Sequence, residues 1–296
     1  MHKSGFVAVV GRPNVGKSTL LNNLIGQKIS IVTSKPHTTR HAILGVLTRP
    51  DYQVVFIDTP GLEARPKSLM NRNMNRAATG ALEAADLVVL VIEAGKWSPA
   101  DDQALGLIKR SARPCVAVVN KIDRVKPKDR LLPYLQQLQQ RYDFAGIVPV
   151  SALQSDNIAV LEKVLVDLLP EQEPLYPAEM LTNRGVQFRV AEILREKLMH
   201  HLRQELPYGL GVEISELEEN EGRLCVDAII WVDRESHKGI VVGKGGEVIK
   251  KIGTAARHEM QEIFGQPVRL ESRVKVKKNW SDNAQALQQM GYDGEL

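Results

Sequence analysis

Cysteine is nearly absent from this chain, and so are long apolar runs. Its 296 residues include only Cys115 and Cys225, each inside an apolar segment, so we predict buried thiols rather than a disulfide or a cysteine-ligated metal. The histidines show no ligand-like grouping, because His200 and His201 are adjacent on a predicted helix and face apart. A disulfide scaffold and a transition-metal site are therefore not expected.

No apolar stretch approaches the length of a membrane span. Residues 1–10 also lack the charged start, long apolar core and cleavage site of a signal peptide. We therefore expect a cytoplasmic protein, long enough for two domains that each bury a core. The net charge of +4 favours a polyanionic partner without requiring one.

The stretch GRPNVGKS, residues 11–18, fits the pattern G-x-x-x-x-G-K-[ST]. It follows the apolar run of residues 6–10, which predicts a buried strand, and it precedes a helical pattern. Such a turn points backbone amides and a helix start at phosphate, while Lys17 supplies positive charge and Ser18 an oxygen for Mg2+. An ordinary tight turn is the alternative, so the motif needs support from elsewhere in the chain.

The DTPG stretch, residues 58–61, follows a β-branched and aromatic run. An acid at the end of a parallel strand can hold Mg2+ through water, which suits Asp58, and Gly61 can present its N–H to a γ-phosphate. This motif predicts that the phosphate site binds a nucleoside triphosphate.

Two later motifs predict that the base is guanine. In NKID, residues 120–123, Asp123 can accept hydrogen bonds from guanine N1 and N2, the stem of Lys121 can cover the base, and Asn120 can tie this loop to the first. In the SAL stretch, residues 151–153, a backbone N–H can meet guanine O6. The alternative is that these stretches are unrelated turns in an ordinary α/β domain. In that case four motifs would have to occur by chance in the expected order.

With these motifs the chain resembles the translation-factor class of GTPases. Asn14 and the segment Thr38-Thr39-Arg40 resemble the branch of that class that holds the Era-like and tRNA-modification families. In the class, the irregular segments 30–40 and 61–68 correspond to two switches that γ-phosphate and Mg2+ order. The resemblance implies Thr39 as the second Mg2+ ligand, with Thr38 as the alternative.

These arguments define the predicted sites of the first domain. The predicted catalytic residues are Lys17, Thr39, Asp58 and Gly61, and the predicted Mg2+ ligands are Ser18, Thr39 and Asp58. The predicted GTP-binding residues are Gly11, Arg12, Pro13, Asn14, Val15, Gly16, Lys17, Ser18, Thr19, Asp58, Thr59, Pro60, Gly61, Asn120, Lys121, Asp123, Ser151, Ala152 and Leu153.

Leu62 occupies the position where many regulatory GTPases carry a Gln that orients water. Leucine has no hydrogen-bonding group, so we expect slow unaided hydrolysis. Relatives that share the P-loop asparagine use K+ to supply the missing positive charge, and the resemblance implies Asn14 as a K+ ligand. The alternative is that Asn14 only fixes its own loop.

The pattern of the first 169 residues predicts a doubly wound α/β fold with a mostly parallel sheet and its site at the carboxyl ends of the strands. Strands are predicted near 6–10, 42–48, 53–58, 87–93, 114–120 and 146–150, the second and third as a hairpin. Helices are predicted near 17–24, 68–84, 99–111, 128–141 and 157–168.

A proline-rich stretch, PEQEPLYP, predicts a linker over 170–179 between domains at 1–169 and 180–296. In the second domain we predict a helix at 185–206, strands at 211–217 and 223–233, a helix at 246–264 and a strand at 268–277. The loop GKGG, residues 243–246, matches the G-x-x-G loop of a KH module, and the domain resembles the smaller α+β type II form, with the order α-β-β-α-α-β.

Lysines around the GKGG loop predict a groove that follows a nucleic-acid backbone, with an apolar floor before the loop; the alternative is a plain turn into a helix. The predicted RNA-binding residues are Ile240, Val241, Val242, Gly243, Lys244, Gly245, Gly246, Lys250 and Lys251. A second basic stretch, residues 269–278 with Trp280, is predicted either to contact RNA or to be a solvated strand edge.

A GTPase domain followed by a type II KH domain resembles the Era-like family over essentially the whole chain. The resemblance implies a GTP-hydrolysing switch that binds the 3' region of 16S ribosomal RNA during assembly of the 30S subunit, with Mg2+ as cofactor. It also implies peripheral association with the inner membrane in some members, and we expect a monomer. The alternatives are a nucleotide-regulated RNA chaperone without significant turnover and a metabolic phosphotransferase, for which the sequence shows no acceptor motif.

Overall fold

The computed structural model describes residues 2–35, 38–62, 68–202 and 209–290. The chain divides into two compact units, of which the first consists mainly of residues up to Asn183 and the second mainly of residues from Arg184 onward, together with Ser68–Met70. Each unit has its own buried apolar core, and each is described separately below.

The first unit is built on a six-stranded sheet with the order β2-β3-β1-β4-β5-β6. All neighbouring strands are parallel except β2 and β3, which form the predicted hairpin with Arg49 opposite Tyr52. The strands are β1 (Lys3–Val10), β2 (Ile43–Arg49), β3 (Tyr52–Asp58), β4 (Leu87–Glu93), β5 (Cys115–Asn120) and β6 (Gly146–Pro149).

Helices lie against both faces of this sheet. They are α1 (Lys17–Ile25), α2 (Leu69–Ala84), α3 (Pro99–Ser111), α4 (Leu131–Gln139) and α5 (Ile158–Leu168). One core cluster joins α1 and α5 to the sheet, and another joins α2 and α3 to its opposite face. The continuous apolar strands β4 and β5 are buried on both sides for this reason. The predicted doubly wound fold is confirmed.

The proline-rich segment lies along the first unit. Gln53 donates from its side-chain amide to the carbonyl of Tyr176 over 2.8 Å, and its own side-chain oxygen accepts from the N–H of Leu175 at 2.8 Å. Thr182 then forms an antiparallel bridge with Gly45 on β2. The residues predicted as a linker therefore have fixed backbone partners, and the first unit continues past them to Asn183.

The second unit follows the predicted α-β-β-α-α-β order and adds a short helix at its end. Its elements are α6 (Val186–His201), β7 (Leu210–Asn220), β8 (Arg223–Val232), α7 (Glu235–Val242), α8 (Glu247–Phe264), β9 (Val268–Val276) and α9 (Ala284–Gln289). The sheet order is β7-β8-β9, with β7 antiparallel and β9 parallel to β8. This is the predicted α+β architecture. The helix predicted at 185–206 corresponds to α6, and residues 203–206 of that prediction lie outside the described residues.

Helix α7 is implied by the α-β-β-α-α-β order, but the sequence pattern placed no helix before the GKGG loop at 243–246. Its apolar residues are few, and Gly239 lies inside it. In the part of the chain that the structure describes, no helix has the length and apolar composition needed to cross a membrane.

Candidate nucleotide and RNA sites

The phosphate loop connects β1 to α1, and its glycines are required by close contacts. A Cβ on Gly11 would lie 2.4 Å from the carbonyl oxygen of Val91, and one on Gly16 would lie 2.4 Å from Nδ2 of Asn120. Gly16 also has a φ of +99°, which side chains rarely adopt. The loop therefore passes close to the ends of β4 and β5.

Lys17 lies folded over this loop. Its Nζ donates to the carbonyls of Gly11 at 3.0 Å and Arg12 at 3.2 Å. Burial lowers the pKa of Lys17 from 10.5 to about 8, and the carboxylate of Asp58 offsets only part of that effect. The ammonium group is thus held at the loop, where it would meet the outer phosphates of a nucleotide.

Three oxygen-bearing side chains converge beside Lys17. Ser18 Oγ donates to Asp58 Oδ2 at 2.9 Å and lies 2.8 Å from Thr39 Oγ1, which itself donates to Oδ2 at 3.4 Å. Asp58 is fully buried, and its Oδ1 has no hydrogen-bond partner among the described residues. A buried carboxylate oxygen without a partner, next to two hydroxyls, is the donor set that Mg2+ prefers.

Burial also raises the pKa of Asp58, although Lys17 and the hydroxyls of Ser18 and Thr39 oppose this shift. The charged form of the acid is therefore costly here without a further cation. That cost is a second reason why the three residues fit a divalent ion.

The structure separates the two candidate threonines. Thr38 Oγ1 donates to the carbonyl of Lys35 at 2.7 Å and lies 2.6 Å from Thr33 Oγ1, so it is directed at its own loop. Thr39, in contrast, reaches Ser18 and Asp58. The geometry therefore favours Thr39 for the role that the sequence left open between the two.

Asn120 connects the NKID and SAL loops to the phosphate loop. Its Nδ2 donates to the carbonyl of Val15 at 2.8 Å, and its Oδ1 accepts from the backbone N–H groups of Lys121 at 2.7 Å and Ala152 at 2.9 Å. The N–H of Ala152 therefore already has an acceptor in Asn120, and this bond ties the SAL stretch to the phosphate loop.

The acid of the NKID loop is also positioned by a neighbour. Ser151 Oγ donates to Asp123 Oδ1 at 2.7 Å, which leaves Oδ2 and part of Oδ1 to accept from a base. Leu153 follows with 74% of its surface exposed. The NKID and SAL loops therefore meet, as the two motifs predict for a guanine site.

Not every predicted contact residue presents its side chain to the site. Thr59 is fully buried, and its hydroxyl donates to the carbonyl of Val9 at 2.8 Å. Val15 is buried as well, so both residues can contact a nucleotide only through their backbone. Gly61 packs against Pro13, because a Cβ on Gly61 would lie 2.7 Å from Pro13 Cγ.

Sequence reasoning missed the acid that joins Arg12 to Lys121. Glu93, at the end of β4, accepts from Arg12 at 3.3 Å, from Lys121 at 3.4 Å and from Lys96 at 2.7 Å. Arg12 also pairs with Asp101, in the first turn of α3, at 3.3 Å. No local motif marks Glu93; its only signal is its place at the carboxyl end of a buried strand, the edge where such sites form.

In the second unit, the GKGG turn connects α7 to α8. Gly243, Gly245 and Gly246 all have positive φ, at +73°, +61° and +81°. A Cβ on Gly243 would lie 2.5 Å from Val248 Cγ2, whereas one on Gly245 or Gly246 would meet nothing within 4 Å. The middle of the turn is therefore open to a ligand, and Lys244 and Gly245 are exposed.

The apolar residues before the turn divide between two environments. Val241 is fully buried in the core of the second unit, so its side chain does not reach the surface. Ile240 is 55% exposed and is the residue that can meet a base. Sequence alone could not make this distinction, because residues 240–242 lie on a short helix that the pattern did not identify.

A groove beside the turn adds residues that the sequence analysis did not name. It has a volume of about 280 Å³ and lies between α8 and the inner side of β9. Its lining includes the predicted Lys250 and the further residues Ile249, Gly253, Thr254, Arg257, Leu270 and Ser272. An open groove with cations on one wall and apolar and hydroxyl groups on the other suits single-stranded nucleic acid.

Comparisons with known proteins agree with this division. Residues 6–121 match the family model described as 50S ribosome-binding GTPase, and residues 205–281 match the model described as KH domain. The chain is 48% identical over 292 residues to GTPase Era of Stenotrophomonas maltophilia strain K279a, covering 99% of this chain and 98% of that relative. GTPase Era of Xanthomonas campestris pv. campestris strain B100 matches at the same identity and coverage.

Solved structures are similar over the same length. Era in complex with MgGDPNP and nucleotides 1506–1542 of 16S ribosomal RNA superimposes with a TM-score of 0.96 at 40% identity, covering 99% of both chains. A point variant of Aquifex aeolicus Era bound to GDP.AlF4- gives a TM-score of 0.95 at 40% identity, covering 98% of this chain and 99% of that one.

Proposed function

Because this chain belongs to the Era family of GTPases, we propose that it couples GTP hydrolysis in its first unit to RNA binding by its second. The RNA is the 3' region of 16S ribosomal RNA, and the process is assembly of the 30S subunit. The related Era structure that contains nucleotides 1506–1542 of 16S ribosomal RNA supports this choice of RNA.

The observation that carries the nucleotide part of the proposal is the convergence of Ser18, Thr39 and Asp58 beside Lys17. These residues would hold Mg2+, which when bound neutralises charge on the β- and γ-phosphates. Lys17 contributes its own positive charge, and the amides of residues 11–18 hold the phosphates in place. The backbone of Gly61, packed on Pro13, can present its N–H to the γ-phosphate.

Selection of guanine follows from the second group of loops. Asp123, oriented by Ser151, accepts from the N1 and N2 edge of the base, and Lys121, held by Glu93, covers its face. Adenine offers no such pair of donors. GTP and GDP are therefore the ligands, and water is the acceptor of the phosphoryl group.

The RNA part of the proposal relies on the GKGG turn and the groove beside it. Backbone at Gly245 and Gly246 can approach phosphates closely, and Lys244, Lys250 and Lys251 are exposed around the turn. Ile240 supplies an apolar surface for a base. The GTP-bound and GDP-bound states are proposed to differ in RNA affinity.

Two finer points rest on family resemblance. We propose K+ as a second cation at the nucleotide, with Asn14 as one ligand. We also propose a cytoplasmic monomer with peripheral association at the inner membrane. Sedimentation of the purified protein and its recovery in washed membrane fractions would test the second point.

The experiment that tests the proposed function is crosslinking and sequencing of bound RNA, with the protein loaded with GTP or with GDP. We expect crosslinks within the 3' region of 16S ribosomal RNA, and a difference in their yield between the two states. Multiple-turnover hydrolysis of GTP should be lost in Lys17→Ala and Asp58→Ala. Hydrolysis that survived both substitutions would contradict the assigned site.

Single substitutions in the GKGG turn refine the RNA test. Gly246→Asp adds a negative side chain to open space, whereas Gly243→Asp would also strike Val248 and disturb the fold. Gly246→Asp is therefore the informative variant, and Lys244→Glu avoids any backbone strain. Gly246→Asp should abolish RNA binding, Lys244→Glu should weaken it, and both should leave GTP binding intact.

A further inference from the structure

The sheet of the second unit has an open face. Along β8, Val226, Ala228, Ile230 and Val232 are buried, whereas the alternating residues Ile229 and Trp231 are half-buried. Because β-strand side chains alternate between faces, the first set lies against the helices and the second lies on the opposite side. We call that opposite side the outer face.

Strand β9 places cations on the outer face. The parallel register puts Arg273 beside Ile229 and Lys275 beside Trp231. Lys277 follows two residues later, and its backbone N–H donates to the carbonyl of Val232. We call Arg273, Lys275, Lys277 and Trp231 the outer basic cluster.

Trp231 organises this cluster. The Nζ atoms of Lys275 and Lys277 lie 5.9 Å and 5.5 Å from the centroid of the indole ring, within the range of a cation–π interaction. The indole N–H donates to Glu213 Oε2 at 2.7 Å, which fixes the ring on the sheet. Two ammonium groups are therefore held near one position rather than dispersed in solvent.

The cations of the cluster form no direct ion pair among residues 209–290. Asp227 and Glu271 lie on the same face, but they are paired in register two residues nearer the start of β9 than Arg273. Glu213 accepts from the Trp231 indole, and Glu271 pairs with Arg269 nearer the start of β9. A set of unpaired cations around an aromatic ring is complementary to a chain of phosphates.

The cluster is also continuous with the RNA groove. Leu270 and Ser272 line the groove from the inner side of β9, and Arg273 and Lys275 project from the outer side of the same strand. Strand β9 is at the edge of the sheet, so no further strand separates the two surfaces. An RNA chain that leaves the groove therefore has to cross only the width of β9, about 5 Å, to reach the outer basic cluster.

We propose that the outer basic cluster is a second RNA-contact surface, which binds the sugar-phosphate backbone of RNA that extends beyond the GKGG groove. The proposal rests on the proposed function, because the groove must first hold the RNA. The cluster adds affinity without base selection, since lysine and arginine contacts to phosphate do not read sequence. Trp231 is a positioning residue for the two lysines.

The corresponding experiment compares two RNAs on the full-length protein. One is a single strand of about ten nucleotides, enough to fill the groove, and the other carries the same sequence with a natural extension at each end. The test variant is Arg273→Gln/Lys275→Gln/Lys277→Gln. We expect the wild-type protein to bind the longer RNA more tightly, and the triple variant to lose at least fivefold of that affinity while binding the short RNA unchanged. The salt dependence of binding to the longer RNA should fall by about 2 in its logarithmic slope, because three phosphate contacts are lost.

A matched control removes equal charge from the first unit. Lys109→Gln/Arg110→Gln/Arg113→Gln changes exposed cations at the end of α3 and should leave both affinities as in the wild type. If the two triple variants weaken binding of the longer RNA equally, the effect is one of net charge and the proposal is wrong.

Further arms separate this proposal from the proposed function. Lys244→Glu should lower the affinity of the protein for both RNAs. If that variant bound the short RNA as tightly as the wild type does, the groove would not be the RNA site. Wild-type affinity of the outer-face variant for the longer RNA would overturn the second surface alone. If that variant instead lost binding to vesicles of phosphatidylglycerol and phosphatidylethanolamine, the outer face would belong to a membrane and not to RNA.

Discussion

The side-chain amide of Asn120 donates to the backbone carbonyl of Val15 over 2.8 Å. Since the oxygen of the same amide accepts from Lys121 and Ala152, one side chain fixes the phosphate, NKID and SAL loops in a single arrangement. The proposed base and phosphate sites are therefore joined by direct hydrogen bonds. Each loop is short and comes from a different strand, so such a connection is needed to align them.

Asn120→Ala should weaken the binding of GTP and of GDP by the same factor. The substitution leaves the Val15 carbonyl and two N–H groups without partners in a buried position, at a cost of about 1–3 kcal/mol, which corresponds to roughly 5–150-fold in affinity. Titration with a fluorescent nucleotide measures the effect. Asn157→Gly is the control, because it removes an exposed hydrogen bond to Pro149 at a residue with positive φ. Equal affinities in all three proteins would show that Asn120 does not hold the site.

Asp123→Asn should shift base preference from guanine towards xanthine. In the proposed site the carboxylate accepts from N1 and N2 of guanine, whereas an amide would donate to the carbonyl at position 2 of xanthine. Loss of the charged pair should cost about 1.5–3 kcal/mol. Competition between GTP and xanthosine triphosphate measures the change. Wild-type affinity for GTP with no gain for xanthosine triphosphate would show that Asp123 does not read the base.

Thr39→Val and Thr38→Val form a matched pair. Valine keeps the shape of threonine and removes the hydroxyl, so only the residue that serves Mg2+ should affect Mg2+-dependent steps. We expect Thr39→Val to slow GTP hydrolysis at least tenfold and to raise the Mg2+ concentration needed for half-maximal rate. Thr38→Val should change both by less than about twofold. The reverse ranking would assign the role to Thr38.

The general plan of the first unit was predictable because each functional loop follows a strand and carries a local signature. The strands and helices predicted there agree with the structure to within a few residues, including the hairpin across residues 49–52. These signals are local, as glycine, proline and apolar periodicity act over a few residues.

Other features were not predictable because they depend on long-range packing. Glu93 meets Arg12 and Lys121 only because β4 and β5 are adjacent in the sheet. The basic stretch of β9 was paired in sequence with Trp280, yet Trp280 is fully buried and donates to the carbonyl of Gly209 at 3.1 Å. The aromatic beside those cations is Trp231, brought there from β8 by register.

Glu93 should stabilise the folded protein at neutral pH, and this stabilisation should be lost on acidification. Burial alone would raise the pKa of Glu93, but Lys96 and Lys121 outweigh it and lower that pKa from 4.5 to about 2. Because the folded value lies below the unfolded one, the stabilisation is fully present above about pH 4.5 and is lost as the pH falls towards 2. Glu93→Gln should therefore unfold at a lower temperature than the wild type at neutral pH, and the difference should shrink on acidification through this window.

Thermal unfolding at a series of pH values tests that expectation. Glu83→Gln is the control, since Glu83 is an exposed carboxylate on α2. A difference between Glu93→Gln and wild type that stays constant from neutral pH down to about 2.5 would contradict the linkage.

GTP hydrolysis should depend on a monovalent cation, because the residue after Gly61 is not the water-orienting glutamine of many GTPases. Leu62 is buried, with 6% of its surface exposed, so it neither orients water nor carries charge. Asn14, in the phosphate loop at a φ of +63°, donates from Nδ2 to the carbonyl of Ser34 at 2.9 Å, and its own backbone carbonyl accepts from Lys121. Its side-chain oxygen is the group that can serve a monovalent cation beside the β- and γ-phosphates, where positive charge stabilises the transition state.

GTP hydrolysis should therefore be faster in K+ than in Na+ at equal ionic strength, and Asn14→Ala should abolish the difference while Mg2+-GTP affinity stays largely unchanged. If Asn14 only fixes its loop through Ser34, Asn14→Ala would slow hydrolysis equally in both salts. Equal wild-type rates in K+ and Na+ would remove the cation from the mechanism and make a ribosomal partner the source of the missing charge.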